Sequence, residues 1–147
     1  MSEFHVYLSF PGTAHEAFAF YAKLFDAECA GRYTYADMAP AGVETPPEHA
    51  QLIAHAALNL GNLTLMATDS ETPVRSATAE SNAFLFYQTK SRTDAQRVFE
   101  ALAQDGTVIS PLQDQPWGYN GRCIDRFGIA WEIFLDDSQG SEIGSTP

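Results

Sequence analysis

The stretch Ile124-Asp125-Arg126-Phe127-Gly128-Ile129-Ala130-Trp131-Glu132-Ile133-Phe134-Leu135 decides the fold. It has the form of a β-hairpin: the end of one strand, a tight turn, then a seven-residue strand. Asp125 suits the first position of a type I turn and Gly128 the last, because an Asp side chain can bond the backbone two residues on. Past the turn the pattern has period two. Ile129, Trp131, Ile133 and Leu135 fall on one face, and Ala130, Glu132 and Phe134 on the other. That second face is apolar apart from its carboxylate. A carboxylate among apolar neighbours is either solvated at a sheet edge or recruited for chemistry.

Upstream of the hairpin lies an aromatic and glycine-bearing loop, Trp117-Gly118-Tyr119-Asn120-Gly121. Before it come a strand near Thr107-Val108-Ile109 and a helix with Ala95, Val98, Phe99 and Leu102 on one face. Thr93-Asp94-Ala95-Gln96 has the capping-box pattern at the start of that helix, and Gly106 is placed as its C′ residue. A strand over residues 82–87 opens this half.

The first half has the same order. Phe4, Val6, Leu8 and Phe10 alternate with His5, Tyr7 and Ser9, and Pro11-Gly12 ends the strand. Thr13-Ala14-His15-Glu16 is a second capping-box match, opening a helix over residues 14–25 that buries Ala17, Phe18, Tyr21, Ala22 and Phe25. A strand over 28–36 follows. Residues 37–51 carry Pro40, Gly42, Pro46 and Pro47, the composition of an inserted or mobile loop. Two alternating runs, 54–60 and 63–68, are joined at Gly61-Asn62, a two-residue hairpin signal. Residues 69–81 are polar, contain Pro73 and read as a linker.

Each half therefore reads strand, helix, three strands, a repeat of element order rather than of residue identity. The expected division is module one over 3–68, the linker, module two over 82–137 and a flexible tail over 138–147. A chain of 147 residues with 45% hydrophobic content can bury a proper core as one domain of two small modules. Eight Lys+Arg against 19 Asp+Glu give a net charge of −11 without a basic stripe, so nucleic acid and anionic membranes are excluded as partners. No apolar run approaches a membrane span, no signal peptide is expected before the first strand, and Cys29 and Cys123 form no CxxC pair. A reduced, soluble, cytoplasmic protein is expected.

The tandem βαβββ order, with Tyr7-Leu8-Ser9-Phe10-Pro11-Gly12, Ala17-Phe18-Ala19-Phe20-Tyr21, Ile53-Ala54-His55-Ala56 and Asp125-Arg126-Phe127-Gly128-Ile129-Ala130-Trp131, resembles the vicinal-oxygen-chelate superfamily. Its members include glyoxalase I, extradiol dioxygenases and the fosfomycin and bleomycin resistance proteins. Within it the chain is similar to the PhnB-like branch over nearly its whole length. The resemblance implies an α+β fold, two tandem βαβββ modules forming a cupped mixed sheet. It also implies a homodimer and a small-molecule ligand in the cup.

Superfamily enzymes hold a divalent metal through the first and last strands of each module. The resemblance carries those positions to His5, Asn82, Met66 and Glu132, with His55 as a further nitrogen donor near Met66. Imidazole and carboxylate suit Zn, Mn, Fe or Ni, whereas Asn is a weak ligand and a thioether is avoided by hard ions. The metal set is therefore His5, Glu132 and His55, with Glu132 also the proton-moving catalytic residue. His5 reads equally as a hydrogen-bonded sheet histidine, and for His55 that reading is the favoured one. Tyr7, Asn82, Phe84, Trp117, Tyr119 and Arg122 are the expected ligand-binding residues, with Phe86 and Phe134 beside them and Arg32 as a further anchor for an anion. The Trp117–Gly121 loop offers stacking faces, and its glycines allow close approach.

Two functions follow. One is a metal-dependent lyase, isomerase or transferase of glyoxalase type. The other is a non-catalytic protein that sequesters a small molecule, as bleomycin-binding relatives do, with an incomplete ligand set favouring it. A demethylubiquinone methyltransferase activity ranks last, since no glycine-rich strand-to-helix turn is present to cradle a nucleotide-like cofactor.

Overall fold

The structure, a computed structural model, describes residues 2–137. The predicted tail over 138–147 lies outside the described residues. The chain divides between Val74 and Arg75 into two compact units, each with its own sheet. The first unit runs β1 (Val6–Phe10), α1 (Ala14–Phe25), β2 (Glu28–Thr34), α2 (Tyr35–Met38), α3 (Pro47–Ala50), β3 (Ile53–Asn59) and β4 (Thr64–Asp69). The second runs β5 (Leu85–Thr89), α4 (Arg92–Ala103), β6 (Thr107–Gln115), β7 (Gly118–Ile124) and β8 (Ala130–Leu135). The strand orders are β1-β4-β3-β2 and β5-β8-β7-β6, the same topology twice. In each, the first strand pairs parallel with the last and the other pairings are antiparallel. These are the tandem βαβββ modules of an α+β fold. Two short helices interrupt the stretch read as a loop in the first. No helix of the described residues is long and apolar enough to cross a membrane.

Period-two alternation assigns the faces. In the first unit Phe10, Ala56, Leu58, Leu65 and Ala67 are buried with Ala14, Ala17, Phe18 and Tyr21 of α1. In the second, Cys123, Trp131, Ile133 and Leu135 are buried with Ala95, Val98, Phe99 and Leu102 of α4. Each large apolar side chain so covered contributes roughly 1.5–3 kcal/mol. Burial, with the neighbouring charge of Asp125, pushes the Cys123 thiol up to about 12. Tyr87, half-buried and donating to Asp94 Oδ2 at 2.6 Å, is also pushed up to about 12, by its partial burial and that bond.

Local chemistry departs from the sequence at the helix ends. Thr13 is the N-cap of α1 but makes no capping bond, and among the described residues its buried Oγ1 has no partner. The task falls to Asp69, 1% exposed, whose Oδ1 accepts from Ala14 N at 2.9 Å while Oδ2 accepts from Ile53 N at 2.8 Å. A carboxylate beside the first helical N–H also meets the positive end of the helix dipole. Asp69, expected at the head of a linker, is therefore the last residue of β4 and a structural pin. In α4 the cap is Ser91, whose Oγ accepts from Asp94 N at 3.1 Å; the expected cap, Thr93, lies inside the helix. The residue in left-handed conformation after α4 is Asp105 (φ 60°), not Gly106. Gly106 is needed for space instead: a Cβ there would lie 2.1 Å from the Ile124 carbonyl oxygen.

The hairpin between β7 and β8 follows its sequence reading. Gly128 N–H donates to Asp125 O at 3.0 Å, and Gly128 takes φ 87°. Asp125 Oδ1 accepts from Phe127 N and Ile129 N at 2.9 and 3.0 Å. Its Oδ2 accepts from the Trp131 indole at 2.9 Å, so this 3%-exposed carboxylate ties the turn to the core.

Candidate functional site

The hairpin sets the register of the second sheet, pairing Arg122 with Glu132 and Phe86 with Glu132 across adjacent strands. All three point to the face opposite α4. Arg122 Nε donates to Glu132 Oε1 at 2.5 Å, with the carboxylate side chain 14% exposed and the guanidinium side chain 46%. The guanidinium lies 4.5 Å above the centroid of Phe84, a half-buried residue just before β5. One row along, Phe134 is opposite Gln88 and Asn120. Its ring is 5.7 Å from that of Phe86, which is 55% exposed. It also lies over Gly118 (φ 140°), where a Cβ would meet it at 2.8 Å. Trp117, 66% exposed at the β6–β7 turn, donates its indole N–H to Asn120 Oδ1 at 3.1 Å. A charged pair is thus bordered by an open aromatic shelf of Phe86, Phe134 and Trp117.

The expected loop from Trp117 to Gly121 is corrected by this arrangement. Residues 118–121 belong to β7, and their glycines face protein rather than a ligand. Gly118 is filled by Phe134, and a Cβ at Gly121 would meet Leu112 backbone and Phe99 at 2.8–2.9 Å. Tyr119 alternates to the core side, 6% exposed. Arg92 stacks 3.8 Å from its ring centroid and Gln96 Nε2 donates to its hydroxyl, so Tyr119 leaves the ligand-facing set. Asn82 is exposed and lies before β5, not within the strand.

The first unit carries a different cluster. The Tyr7 hydroxyl is 3.1 Å from His55 Nδ1, and their ring centroids are 5.7 Å apart. Met66 is the register partner of Tyr7, and Tyr33 that of His55. His5 precedes β1, and its Nε2 lies 3.2 Å from the Glu3 carboxylate. Arg32 Nη1 donates to His15 Nδ1 at 2.5 Å. Among the described residues no three His, Cys, Asp or Glu side chains group as a metal centre. The donor chemistry points the same way: Glu132 already holds a cation, and the other three family positions offer a histidine outside its strand, an exposed amide and a thioether.

The Arg122–Glu132 pair was open to sequence reasoning. Asp125 N–H donates to Ile129 O, and counting back from that pair, one residue past the Asp125–Gly128 turn, brings residue 122 opposite 132. What hid it was reading β7 as a loop. Asn120 was missed for the same reason, and Asp69 because a polar residue beside Ser70 and Pro73 resembles a linker.

Comparison with known proteins gives a consistent result. The 3-demethylubiquinone-9 3-methyltransferase family model matches residues 2–134. Protein YjdN of Escherichia coli strain K12 is 27% identical, covering 92% of this chain and 97% of its own. A PhnB protein from Bacillus cereus that carries the same methyltransferase label is 28% identical, with TM-score 0.76 over 92% of this chain and 100% of that one. Protein PA1353 from Pseudomonas aeruginosa is 28% identical, with TM-score 0.80 over 92% and 98%. The fosfomycin resistance protein FosX from Listeria monocytogenes, solved with Mn(II) and sulfate, shares the fold at 12% identity and TM-score 0.60, over 94% of each chain. The chain belongs to the 3-demethylubiquinone-9 3-methyltransferase family, in the PhnB-like branch of the vicinal-oxygen-chelate superfamily.

Proposed function

We propose that this chain is a small-molecule-binding protein whose ligand rests on the open face of the second sheet, held by Arg122, Glu132 and the neighbouring aromatics without a metal. The observation that carries this reading is the 2.5 Å contact from Arg122 Nε to Glu132 Oε1. A guanidinium stands where the family's last-strand ligand would take its metal. Displacing it would leave an ion in a largely covered site without its counter-charge, which costs several kcal/mol. Arg122 itself supplies a fixed positive charge, so an anionic or polarised ligand group needs no other cation there.

The glyoxalase-type reading with His5, Glu132 and His55 as ligands is tested by the same measurement. Protein purified without a histidine tag should contain far less than one equivalent of Zn, Mn, Fe or Ni. Near-stoichiometric metal that disappears in both His5→Ala and Glu132→Ala would overturn the metal-free proposal. The methyltransferase label of the family is tested by heat: S-adenosylmethionine should not raise the melting temperature, and protection would reinstate that activity. The homodimer implied by the resemblance and the cytoplasmic location expected from the sequence belong to this proposal. A strict monomer by sedimentation at micromolar concentration would remove the dimer.

A further inference from the structure

The Arg122 guanidinium is held on two sides and offers the third. Its Nε is taken by Glu132, and one face of its plane lies over Phe84. Among the described residues its two Nη groups have no hydrogen-bond partner, and the side chain is 46% exposed. A guanidinium fixed in this way presents its end as a fork of parallel donors, which matches two oxygens of one anionic group. Glu132 is a positioning residue here: its bond sets the plane of the fork. It also brings a negative charge, so the pair is neutral and a bare anion gains little long-range attraction, the more so on a chain of net charge −11. Affinity must then come from a second contact.

That contact is the aromatic shelf beside the charged pair. Phe86 stands in the row of the charged pair and Phe134 in the next, with Trp117 at the β6–β7 turn; Phe86 and Trp117 are exposed and Phe134 is half-buried. Neighbouring strands are about 4.8 Å apart and same-face residues on one strand about 7 Å, so fork and shelf are separated by little more than an aromatic ring. Resting on the metal-free reading above, we infer that the ligand is a planar aromatic monoanion, its ring on the shelf and its carboxylate-like group on the Nη edge of Arg122. Small anions without a ring, and rings without the anion, each meet half of the site.

The test uses the full chain and three probes: naphthoate, its neutral counterpart naphthalenemethanol, and acetate. Binding is read by calorimetry and by fluorescence of Trp117, the exposed one of the two tryptophans. Naphthoate should bind at least about 10-fold more tightly than either other probe, the scale of one charge-assisted hydrogen bond. Arg122→Met should remove that margin and leave naphthalenemethanol unchanged, which also reports that the variant is folded. Glu132→Gln, which keeps a partner for Nε, should retain more naphthoate affinity than Glu132→Ala. If naphthalenemethanol matches naphthoate on the native chain, the shelf binds but the anion assignment is wrong. If acetate matches naphthoate, the ring assignment is wrong. If no aromatic probe binds, the open-face reading itself fails along with this inference.

Discussion

The two modules share a topology and spend their buried carboxylates differently. In the first, Asp69 sits at the end of β4 and joins the start of α1 to the start of β3. In the second, Asp125 sits in the turn before β8 and joins that turn to the Trp131 indole. The equivalent helix start in the second module is held by Ser91, an exposed cap. The open faces differ in parallel: a Tyr7–His55 pair on one, an Arg122–Glu132 ion pair with an aromatic shelf on the other. A repeated backbone thus fixes where polar groups are needed, while each copy chooses which residue meets the need. In the second module Asp125 ties the β7–β8 turn to the core, and the register of that hairpin puts the ion pair on the open face.

The largest effects should come from the two carboxylates. Asp125→Ala strands two turn N–H groups and a buried indole N–H, with an expected cost of about 3–5 kcal/mol. Asp69→Ala strands two main-chain donors and should cost about 2–4 kcal/mol on the same grounds. Urea denaturation of both variants measures them. The amide variants separate the modules further. In Asp125→Asn an NH₂ must face a donor, and Trp131→Phe removes one such donor. The double variant should therefore be less destabilised than the sum of its parts. No side-chain change can relieve Asp69→Asn, because both of its hydrogen-bond donors are main-chain groups. Strict additivity at positions 125 and 131 would break the distinction.

Glycines give the next contrast. Gly121→Ala in β7 drives a Cβ to 2.8 Å from Leu112 backbone, which can yield only by moving a strand. A loss of about 1–3 kcal/mol is expected. Gly31→Ala in β2 meets only the Tyr33 ring edge at 3.5 Å, an ordinary contact, so the change should stay within about 0.5 kcal/mol. Melting temperatures several degrees apart would support the difference, and equal ones would remove it.

The architecture was legible because it rests on periodicity. The β8 alternation, the α4 stripe of Ala95, Val98, Phe99 and Leu102, and the Gly61-Asn62 hairpin all needed only local pattern. The site was less legible, since it depends on register and on which polar group reaches an end. Trp117 to Gly121 looked like a loop because its glycines have no side chains to alternate. Their reason for being glycine lies in Phe134, Leu112 and Phe99, residues remote in sequence. Thr13 fitted a cap by spacing, yet Asp69, 56 residues on, had taken the helix end.

That last substitution of roles gives the smallest and most discriminating prediction. Two residues of similar chemistry stand at the N-caps of equal-length helices, Thr13 before α1 and Ser91 before α4. Ser91 Oγ accepts from Asp94 N, so Ser91→Ala should cost about 1 kcal/mol. Thr13 Oγ1 is buried without a bond among the described residues, so Thr13→Val keeps the shape and removes an unpaired hydroxyl. It should be neutral, or stabilising by up to about 1 kcal/mol, where a true cap would lose that amount. Opposite signs in paired denaturation curves would establish that a distant carboxylate, rather than the local capping pattern, starts the first helix. A loss at Thr13 equal to that at Ser91 would return the hydroxyl to its expected role and leave Asp69 as a bond to β3 alone.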